Sequence, residues 1–468
     1  MDIPMIESLL MERPTTFSQL RSEMRKIPSS LVSGKVISVG GLGLTASGLG
    51  ESAKIGDRAL VAGRIPSEVV ATDSEGIRLL PFGTWDGIGR GDRVELMTGA
   101  GDIFPGQDWI GRVVDAFGEP LDGLELPDGP CGYPLRNTPP DAFDRRVMGG
   151  KLETGIRAID VFTPICRGQR LGIFAGSGVG KSTLMAMLAR QANADVIVIG
   201  LVGERGREVQ DFLTRDLGPE GMARSAVVVA TSDQPPLMRR QAAFAATSIA
   251  EFYRDQGKQV LLMLDSVTRF ATAQREIGLA AGEPPATRGY TPTVFTELPR
   301  LLERSGPGSA RKEGGDITAL YTVLVDGDDM NEPVADTVRG ILDGHIVLDR
   351  KIAESGRYPA INIAKSVSRS LPDCHIAIEL AIMSAARRAL ARHADIEDLA
   401  RIGAYRTGTD PDTDAAIRFA KLADGFLGQG VRAPQSSEEA FATLYGLLEE
   451  AGVKVDMPEL PTQYDNVV

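Results

Sequence analysis

One short run of this sequence combines glycines, a lysine and hydroxyl groups at a spacing that suits phosphate binding. The octapeptide AGSGVGKS spans Ala175–Ser182, with an apolar strand pattern over Leu171–Phe174 before it and a helical pattern over Ser182–Arg190 after it. In such a strand–loop–helix, glycines let backbone N–H groups surround phosphate oxygens at the start of the helix. The run predicts a P-loop, and a simple glycine-rich turn is the alternative.

Two side chains of this run carry the expected chemistry. Lys181 reaches the β- and γ-phosphates of a nucleotide, and Ser182 offers its hydroxyl to Mg²⁺. Alanine at position 175, where the P-loop pattern has its first glycine, is tolerable if that residue keeps an ordinary strand-end conformation. The other predicted nucleotide-binding positions in and beside the loop are Ala175, Gly176, Ser177, Gly178, Val179, Gly180 and Thr183.

A P-loop requires a second acidic residue near the metal, and QVLLMLDSVTR supplies one. Its apolar strand ends in Asp265, which we expect to hold Mg²⁺ through water. Strands often end in aspartate, so Asp265 gains its meaning from the P-loop. A third apolar strand pattern lies in the stretch DVIVIGLVGERGREV, and this strand is followed by Glu204 and Arg205. Because ligands bind at the carboxyl ends of parallel strands, Glu204 is a candidate general base, and a salt-bridged surface pair with Arg205 is the alternative.

The secondary-structure elements that must position these residues can be predicted from the pattern of apolar and polar residues along the chain. Short alternating runs punctuated by glycine and aspartate predict a small barrel or sandwich, and the later apolar runs predict a parallel sheet with helices. The fold class is therefore a multidomain α/β protein. We predict an N-terminal amphipathic helical segment over 1–27, a β-barrel domain over 28–96, a P-loop ATPase domain over 97–374 and a helical C-terminal domain over 375–468.

Composition excludes several classes of protein. The chain has 468 residues, a formal net charge of −12 and 43% hydrophobic residues, with no run long enough for a transmembrane helix and no signal-peptide pattern. The acidic balance disfavours nucleic-acid binding, which needs a basic face. The three cysteines, Cys131, Cys166 and Cys374, lie far apart, which argues against a disulfide framework or zinc site and favours a reducing cytoplasm.

Several long motifs resemble the rotary ATPase superfamily, which includes the catalytic subunits of ATP synthase and the type III secretion ATPases. The stretches that carry the resemblance include TGIRAIDVFTPICRGQRLGIFAGSGVGKSTL, GERGREV, LDSVTRFATAQREIGLAAGEPPATRGYTPTVFTELPRLLERSG and PAINIAKSVS. The match runs from about residue 30 to the C-terminus. Two further stretches, GRYPAINIAKSVSR and GAYRTGTDPDTDAAI, resemble the flagellar branch of the export ATPases.

The resemblance implies a role for each matching position. Lys181, Ser182 and Asp265 fall on the phosphate lysine, the metal hydroxyl and the metal aspartate, and Glu204 falls on the catalytic glutamate. The roles of three further residues are also implied by the resemblance alone. Arg205 follows the glutamate and is expected to orient it, Tyr358 falls on the aromatic that packs against adenine, and Arg369 falls on an arginine finger. Arg269 falls on an arginine of the same strand-end motif as Asp265.

The function that the resemblance implies is ATP hydrolysis, with ATP and Mg²⁺, driving chaperone release and export of unfolded flagellar proteins. It implies a cytoplasmic homohexamer attached peripherally to the inner membrane at the flagellar base. The implied partners are a stator-like regulator on the N-terminal segment, a central stalk protein, export chaperones with their flagellar substrates, and a membrane export gate.

Three alternatives share parts of this pattern. A virulence (injectisome) secretion ATPase has the same fold and chemistry. An RNA translocase of the termination-factor type needs an aromatic-rich basic barrel, whereas residues 30–96 hold only Phe82 and Trp85 as aromatics. A non-catalytic nucleotide-binding ring subunit predicts loss of the catalytic carboxylate, yet Glu204 is present.

Overall fold

The structure is a computed structural model that describes residues 32–41, 43–97, 101–311, 314–325, 329–401, 405–406 and 408–458. The predicted helical segment over 1–27 lies outside the described residues. The chain divides into two compact units, of which the first holds the N-terminal barrel and Ile277–Glu283 and the second the rest. The four domain limits expected from the sequence remain predictions.

Six antiparallel strands close the N-terminal barrel in the order β1-β2-β5-β4-β3-β6. They are β1 Ser33–Gly40, β2 Gly43–Ser47, β3 Arg58–Val61, β4 Ile65–Asp73, β5 Gly76–Pro81 and β6 Arg93–Met97. Alternate side chains of these strands, such as Ala46, Ala59 and Leu79, fill the interior. The predicted barrel is confirmed, and its size follows from the short alternating runs of the sequence.

An eight-stranded sheet dominates the second unit, in the order β18-β17-β12-β16-β15-β13-β14-β8. Its strands are β8 Val113–Val114, β12 Arg170–Ala175, β13 Val196–Glu204, β14 Ser225–Thr231, β15 Val260–Asp265, β16 Ile317–Leu324, β17 Gly344–Leu348 and β18 Val367–Ser368. Seven of these eight strands run parallel, and β18 at the edge pairs antiparallel with β17. Four two-residue strands complete the numbering: β7 Asp102–Ile103, β9 Tyr133–Pro134, β10 Lys151–Leu152 and β11 Ile165–Cys166.

Helices connect and cover the sheet, as parallel strands require. They are α1 Arg157–Phe162, α2 Lys181–Gln191, α3 Gly206–Asp211, α4 Gly218–Met222, α5 Pro236–Asp255, α6 Val267–Ala281, α7 Pro292–Leu302, α8 Pro333–Ile341, α9 Arg350–Glu354, α10 Leu371–Cys374, α11 Ala377–Arg401, α12 Pro411–Leu427 and α13 Ser437–Ala451. A π-helical turn, Phe212–Leu217, joins α3 to α4. None of the described helices is both long and apolar enough to span a membrane.

The last three helices form the predicted helical region. Asp410 caps α12, and Ser436 with Glu439 forms a capping box at α13. Phe419, Phe441 and Leu444 belong to the same continuous core as the sheet. The helical region therefore packs onto the α/β domain through a shared core, and the predicted fold class is confirmed.

The prediction that the cysteines form no disulfide is wrong for one pair. Cys166 at the end of β11 is joined to Cys374 at the end of α10, with 6.2 Å between their Cα atoms, whereas Cys131 is free and exposed. The two residues are 208 positions apart, so their spacing gave no sign of pairing. The fold brings them together because β11 and α10 lie side by side in the buried junction between the sheet and the helical region.

Candidate active site

The P-loop takes its shape from the strand and helix that flank it. Strand β12 lies between β16 and β17 and ends at Ala175, a buried residue in ordinary strand geometry. Gly178 and Gly180 then adopt φ values of 78° and 92°, a left-handed conformation that strongly favours glycine. Helix α2 begins at Lys181. The predicted strand, loop and helix are confirmed, and the alanine at 175 needs no special conformation.

Two further strand ends bring acidic residues to the same place. Asp265 is the last residue of β15 and Glu204 the last residue of β13, and these strands are neighbours in the sheet. The Lys181 ammonium contacts Asp265 Oδ1 and lies 3.5 Å from Glu204 Oε1. All three side chains are mostly buried. The structure therefore brings together the lysine and both carboxylates that the sequence analysis selected.

Burial and mutual attraction set the charges of this cluster. Burial raises the pKa of Glu204 to about 6, the Asp265 carboxylate adds to the rise, and the Lys181 and Arg269 charges oppose it. For Lys181, burial disfavours the charged form, but attraction by Asp265 and Glu204 outweighs it, and the pKa is raised. Within the described part of the chain, Glu204 Oε1 accepts no hydrogen bond. The site thus holds a permanently charged lysine beside a carboxylate that titrates close to neutral pH.

One residue that the sequence analysis did not select also contacts this cluster. Thr322, on β16 between the P-loop strand and the Asp265 strand, donates its hydroxyl to Asp265 Oδ1 at 2.7 Å. It is fully buried. In the sequence, Thr322 is a threonine in an apolar strand. Its contact with Asp265 can be inferred only once the order of the strands in the sheet is known.

Tyr358 lies against the P-loop. A Cβ atom added at Gly180 would be 3.3 Å from the Tyr358 ring, and the tyrosine carbonyl accepts a hydrogen bond from the Gln429 N–H at 2.8 Å. The side chain is 46% exposed, so Tyr358 is not a core residue. Gln429 in turn bonds to the backbone of Gly155 and Arg157, which ties the helical region to the loop before α1. An exposed ring beside a phosphate loop is suited to stacking on a flat base.

Within the described residues Arg205 makes no hydrogen bond or ion pair with Glu204, and the orienting role that the resemblance implies for it stays a prediction. Its guanidinium is 75% exposed and pairs with Glu208 at 3.1 Å, because α3 begins directly after it and turns the side chain outward. Arg269 does act on the Glu204 carboxylate, because its charge lowers the pKa of that group. It packs on Gly203, where a Cβ atom would lie 2.9 Å from Arg269 Cβ, and Gly203 has a φ of 73°. The glycine before Glu204 is thus required by both space and backbone.

Arg369 does not join the cluster around Lys181. It follows β18 at the edge of the sheet, and its N–H donates to the Asp343 carbonyl at 2.9 Å. Its side chain is exposed and lines two surface grooves, one beside Arg145, Arg146 and Arg170, the other beside Arg339 and His345. Within the described residues its guanidinium has no ion pair or hydrogen-bond partner, whereas Arg170 and Arg339 both pair with carboxylates.

The fold and the site define a P-loop ATPase of the RecA-like class, with a β-barrel before it and helices after it. Two family models match the chain, "ATP synthase alpha/beta family, nucleotide-binding domain" over residues 155–368 and "T3SS EscN ATPase C-terminal domain" over 378–445. These matches cover the sheet except β8, the cluster around Lys181, and most of the helical region.

Curated relatives extend the match over most of the chain. The flagellum-specific ATP synthase of Caulobacter vibrioides is 51% identical over 92% of this chain and 99% of its own. That of Salmonella typhimurium is 44% identical over 89% and 94%. The type 3 secretion system ATPase of Xanthomonas euvesicatoria is 42% identical over 95% and 100%. Among solved structures, the assembled ATPase EscN of enteropathogenic E. coli superposes with a TM-score of 0.82 at 41% identity, over 89% of this chain and 100% of that one.

The chain therefore belongs to the flagellum-specific branch of the type III secretion ATPases, within the ATP synthase alpha/beta family. It is an ATPase of flagellar type III export, and the injectisome alternative is not better supported. The structure of the barrel argues against the RNA-translocase alternative, which needs exposed aromatic side chains for base stacking. Phe82 is buried there and Trp85 packs on the barrel core, so neither forms an open stacking surface.

Proposed function

We propose that this chain hydrolyses ATP by in-line attack of water on the γ-phosphate, at the point where β12, β13 and β15 end. The observation that carries the proposal is the contact of Lys181 with Asp265 and Glu204, because these three charges are the parts that phosphoryl transfer to water needs. The chemistry requires little beyond positioning and charge stabilisation, and a buried, preformed cluster supplies both.

Each side chain then has a separate task. Lys181 binds the β- and γ-phosphates with the backbone N–H groups of the loop, and Tyr358 stacks on the adenine. Glu204 orients the attacking water and accepts its proton. Its raised pKa suits this role, and so does its Oε1, which accepts no hydrogen bond from the described residues. Arg205 keeps the role that the resemblance implies, which is to orient Glu204, and without nucleotide its guanidinium pairs with Glu208.

The residues present fit a magnesium ion shared with the nucleotide. Mg²⁺ is usually held by one or two protein oxygen ligands together with substrate phosphates, and Ser182 and Asp265 supply oxygens of that kind. Within the described residues, Asp265 Oδ2 accepts no hydrogen bond, so this oxygen is available to a metal-bound water. When bound, Mg²⁺ neutralises the charge that develops on the phosphate oxygens.

We further propose that the active enzyme is a homohexamer in which Arg369 acts on the nucleotide of a neighbouring subunit. Its exposed guanidinium at the sheet edge supports this role, since no carboxylate among the described residues pairs with it and it is available to a neighbouring subunit. Relatives support assembly as well, because EscN has been solved as an assembled ATPase and in complex with its central stalk EscO.

The proposed setting follows from the family. The chain works in the cytoplasm, attached peripherally at the flagellar base, where it releases chaperones and delivers unfolded flagellar proteins to a membrane export gate. A central stalk protein turns or sits within the ring, and residues 1–27 bind a stator-like regulator. No nucleic acid takes part.

A deletion strain tests the proposal. Loss of filaments and swimming is expected, with rescue by the wild-type chain and no rescue by Lys181→Ala. The purified Lys181→Ala protein should stay folded and lose ATP turnover. Normal swimming in the deletion strain would refute the flagellar role, and normal turnover in the variant would refute the P-loop assignment.

A further inference from the structure

We propose that Thr322 is a positioning residue that fixes the carboxylate of Asp265 for metal binding. The inference rests on the proposed function in one respect, namely that Asp265 helps to hold Mg²⁺. The role assigned to Thr322 is additional, because it decides which oxygen of Asp265 faces the metal.

The geometry around Asp265 is asymmetric. Thr322 Oγ1 donates to Oδ1 at 2.7 Å, whereas its distance to the Leu264 carbonyl is 3.3 Å, so the single hydroxyl proton favours the carboxylate. The other partner of Oδ1 is Lys181. Both partners hold the same oxygen, which leaves Oδ2 directed away from them.

The two partners of Oδ1 differ in what happens to them during the reaction. Lys181 is needed at the phosphates when nucleotide is present, and an ammonium on a flexible side chain is free to move there. Thr322 has no such alternative. It is β-branched, lies in the middle of a central strand, and is paired with Ile173 of the P-loop strand on one side. Thr322 is therefore the partner that keeps Asp265 oriented after Lys181 has turned to the phosphates.

Such an outer partner has a measurable effect. Removing the hydrogen-bond partner of a metal-ligating group typically weakens metal binding or activity by about 10- to 100-fold. For Thr322→Val we expect weaker metal binding and unchanged nucleotide binding, because among the described residues the hydroxyl hydrogen-bonds to the Asp265 carboxylate and the Leu264 carbonyl.

The experiment compares four variants of the full chain by direct Mn²⁺ binding in the presence of ADP, followed by electron paramagnetic resonance. Thr322→Val removes the hydroxyl at nearly constant shape, and Thr322→Ala removes it with less volume in case valine impairs folding. Thr322→Ser keeps the hydroxyl. Thr318→Val is the matched control, since Thr318 is buried on the same strand and accepts a hydrogen bond from the Gly168 N–H at 3.0 Å, away from the carboxylates.

We expect Thr322→Val and Thr322→Ala to weaken Mn²⁺ binding by about tenfold or more and to raise the Mg²⁺ concentration that half-activates ATP hydrolysis by a similar factor. ADP binding without metal should be unchanged. Thr322→Ser and Thr318→Val should match the wild type in metal affinity. Wild-type Mn²⁺ affinity in folded Thr322→Val and Thr322→Ala, or an equal loss in Thr318→Val, would overturn the proposal.

Asp265→Asn separates this proposal from the function on which it rests. If Asp265→Asn binds Mn²⁺ as the wild type does, the metal role of Asp265 fails. If Asp265→Asn weakens metal binding and the Thr322 variants that lack the hydroxyl do not, only the role of Thr322 fails.

Discussion

At the scale of single residues, the chemistry depends on one lysine that is shared by two buried carboxylates. Lys181 pairs with Asp265 and Glu204 at the same time, so its single positive charge offsets only one of the two negative charges before nucleotide enters. A nucleotide that draws Lys181 to its phosphates leaves the carboxylates less compensated. A metal cation beside Asp265 then stabilises the buried carboxylates and the phosphates at the same time.

Glu204→Gln tests the role of the general base. The amide keeps the shape of the side chain but cannot accept a proton, so turnover should fall by about 10²- to 10⁴-fold while Mg-ATP binding is retained. Binding is measured by fluorescence of a labelled nucleotide and turnover by phosphate release. Parallel loss of binding and turnover would instead make Glu204 a structural residue.

The pH profile tests the same carboxylate without a substitution. Because the pKa of Glu204 is raised to about 6, its base form is lost as the pH falls through that value. We therefore expect kcat/KM to rise with pH up to about 6 and to level off above it, since this ratio reports the free enzyme. The residual activity of Glu204→Gln is the control. The same inflection in that variant would assign the titration to another group, such as the phosphate.

At the scale of elements, the sequence predicted the features that lie in one contiguous stretch of chain. It did not predict contacts between residues that are distant in sequence. The P-loop is one contiguous run, and Asp265 and Glu204 each end a recognisable apolar strand, so all three were found. Thr322 was missed because its meaning depends on β16 lying between β12 and β15, an order that parallel crossover connections do not reveal. The Cys166–Cys374 pair was missed for the same reason. The outward position of the Arg205 side chain was not predicted either, because it depends on where α3 begins.

A buried ion pair joins elements that are distant in sequence. Arg304, which is 1% exposed, follows α7 and forms a two-pronged contact with Glu251 of α5 at 2.8 and 2.9 Å. The same guanidinium donates to Ser248 and to the Leu135 carbonyl. Arg304 thus connects the loop around residue 135, α5 and the chain after α7.

Arg304→Leu should therefore lower the free energy of unfolding by about 3–5 kcal/mol, because it leaves a buried carboxylate unpaired. Urea denaturation followed by circular dichroism measures the loss. Arg339→Leu is the control, since Arg339 pairs with Asp336 at the surface and its removal should cost about 0–1 kcal/mol. Equal losses in both variants would show that the buried pair contributes no more than an exposed one.

At the scale of the whole molecule, the two halves of the proposed catalytic machinery lie on different parts of the sheet. Lys181, Glu204 and Asp265 lie at the carboxyl ends of β12, β13 and β15, whereas Arg369 follows the edge strand β18. A head-to-tail arrangement of subunits joins one surface of a protomer to a different surface of the next, and it closes into a ring when the rotation permits. Each interface can then combine the P-loop of one subunit with the arginine of another.

A mixing experiment tests whether Arg369 acts between subunits. Arg369→Ala protomers keep an intact P-loop, and Lys181→Ala protomers keep an intact arginine, so each alone should be inactive as a homogeneous ring. A guanidinium is permanently charged and spreads its donors over two phosphate oxygens, which stabilises the charge that builds up as the γ-phosphate departs. Mixed rings should therefore regain part of the wild-type turnover, because some interfaces join a working P-loop to a working arginine.

Mixed assembly is verified with two affinity tags. Arg339→Ala is the control for the surface, since its guanidinium lines the same groove but pairs with Asp336 at 2.7 Å, and this variant should stay active without mixing. If mixed rings form and remain inactive, Arg369 does not act in trans, and the chemical reason for requiring a ring is lost.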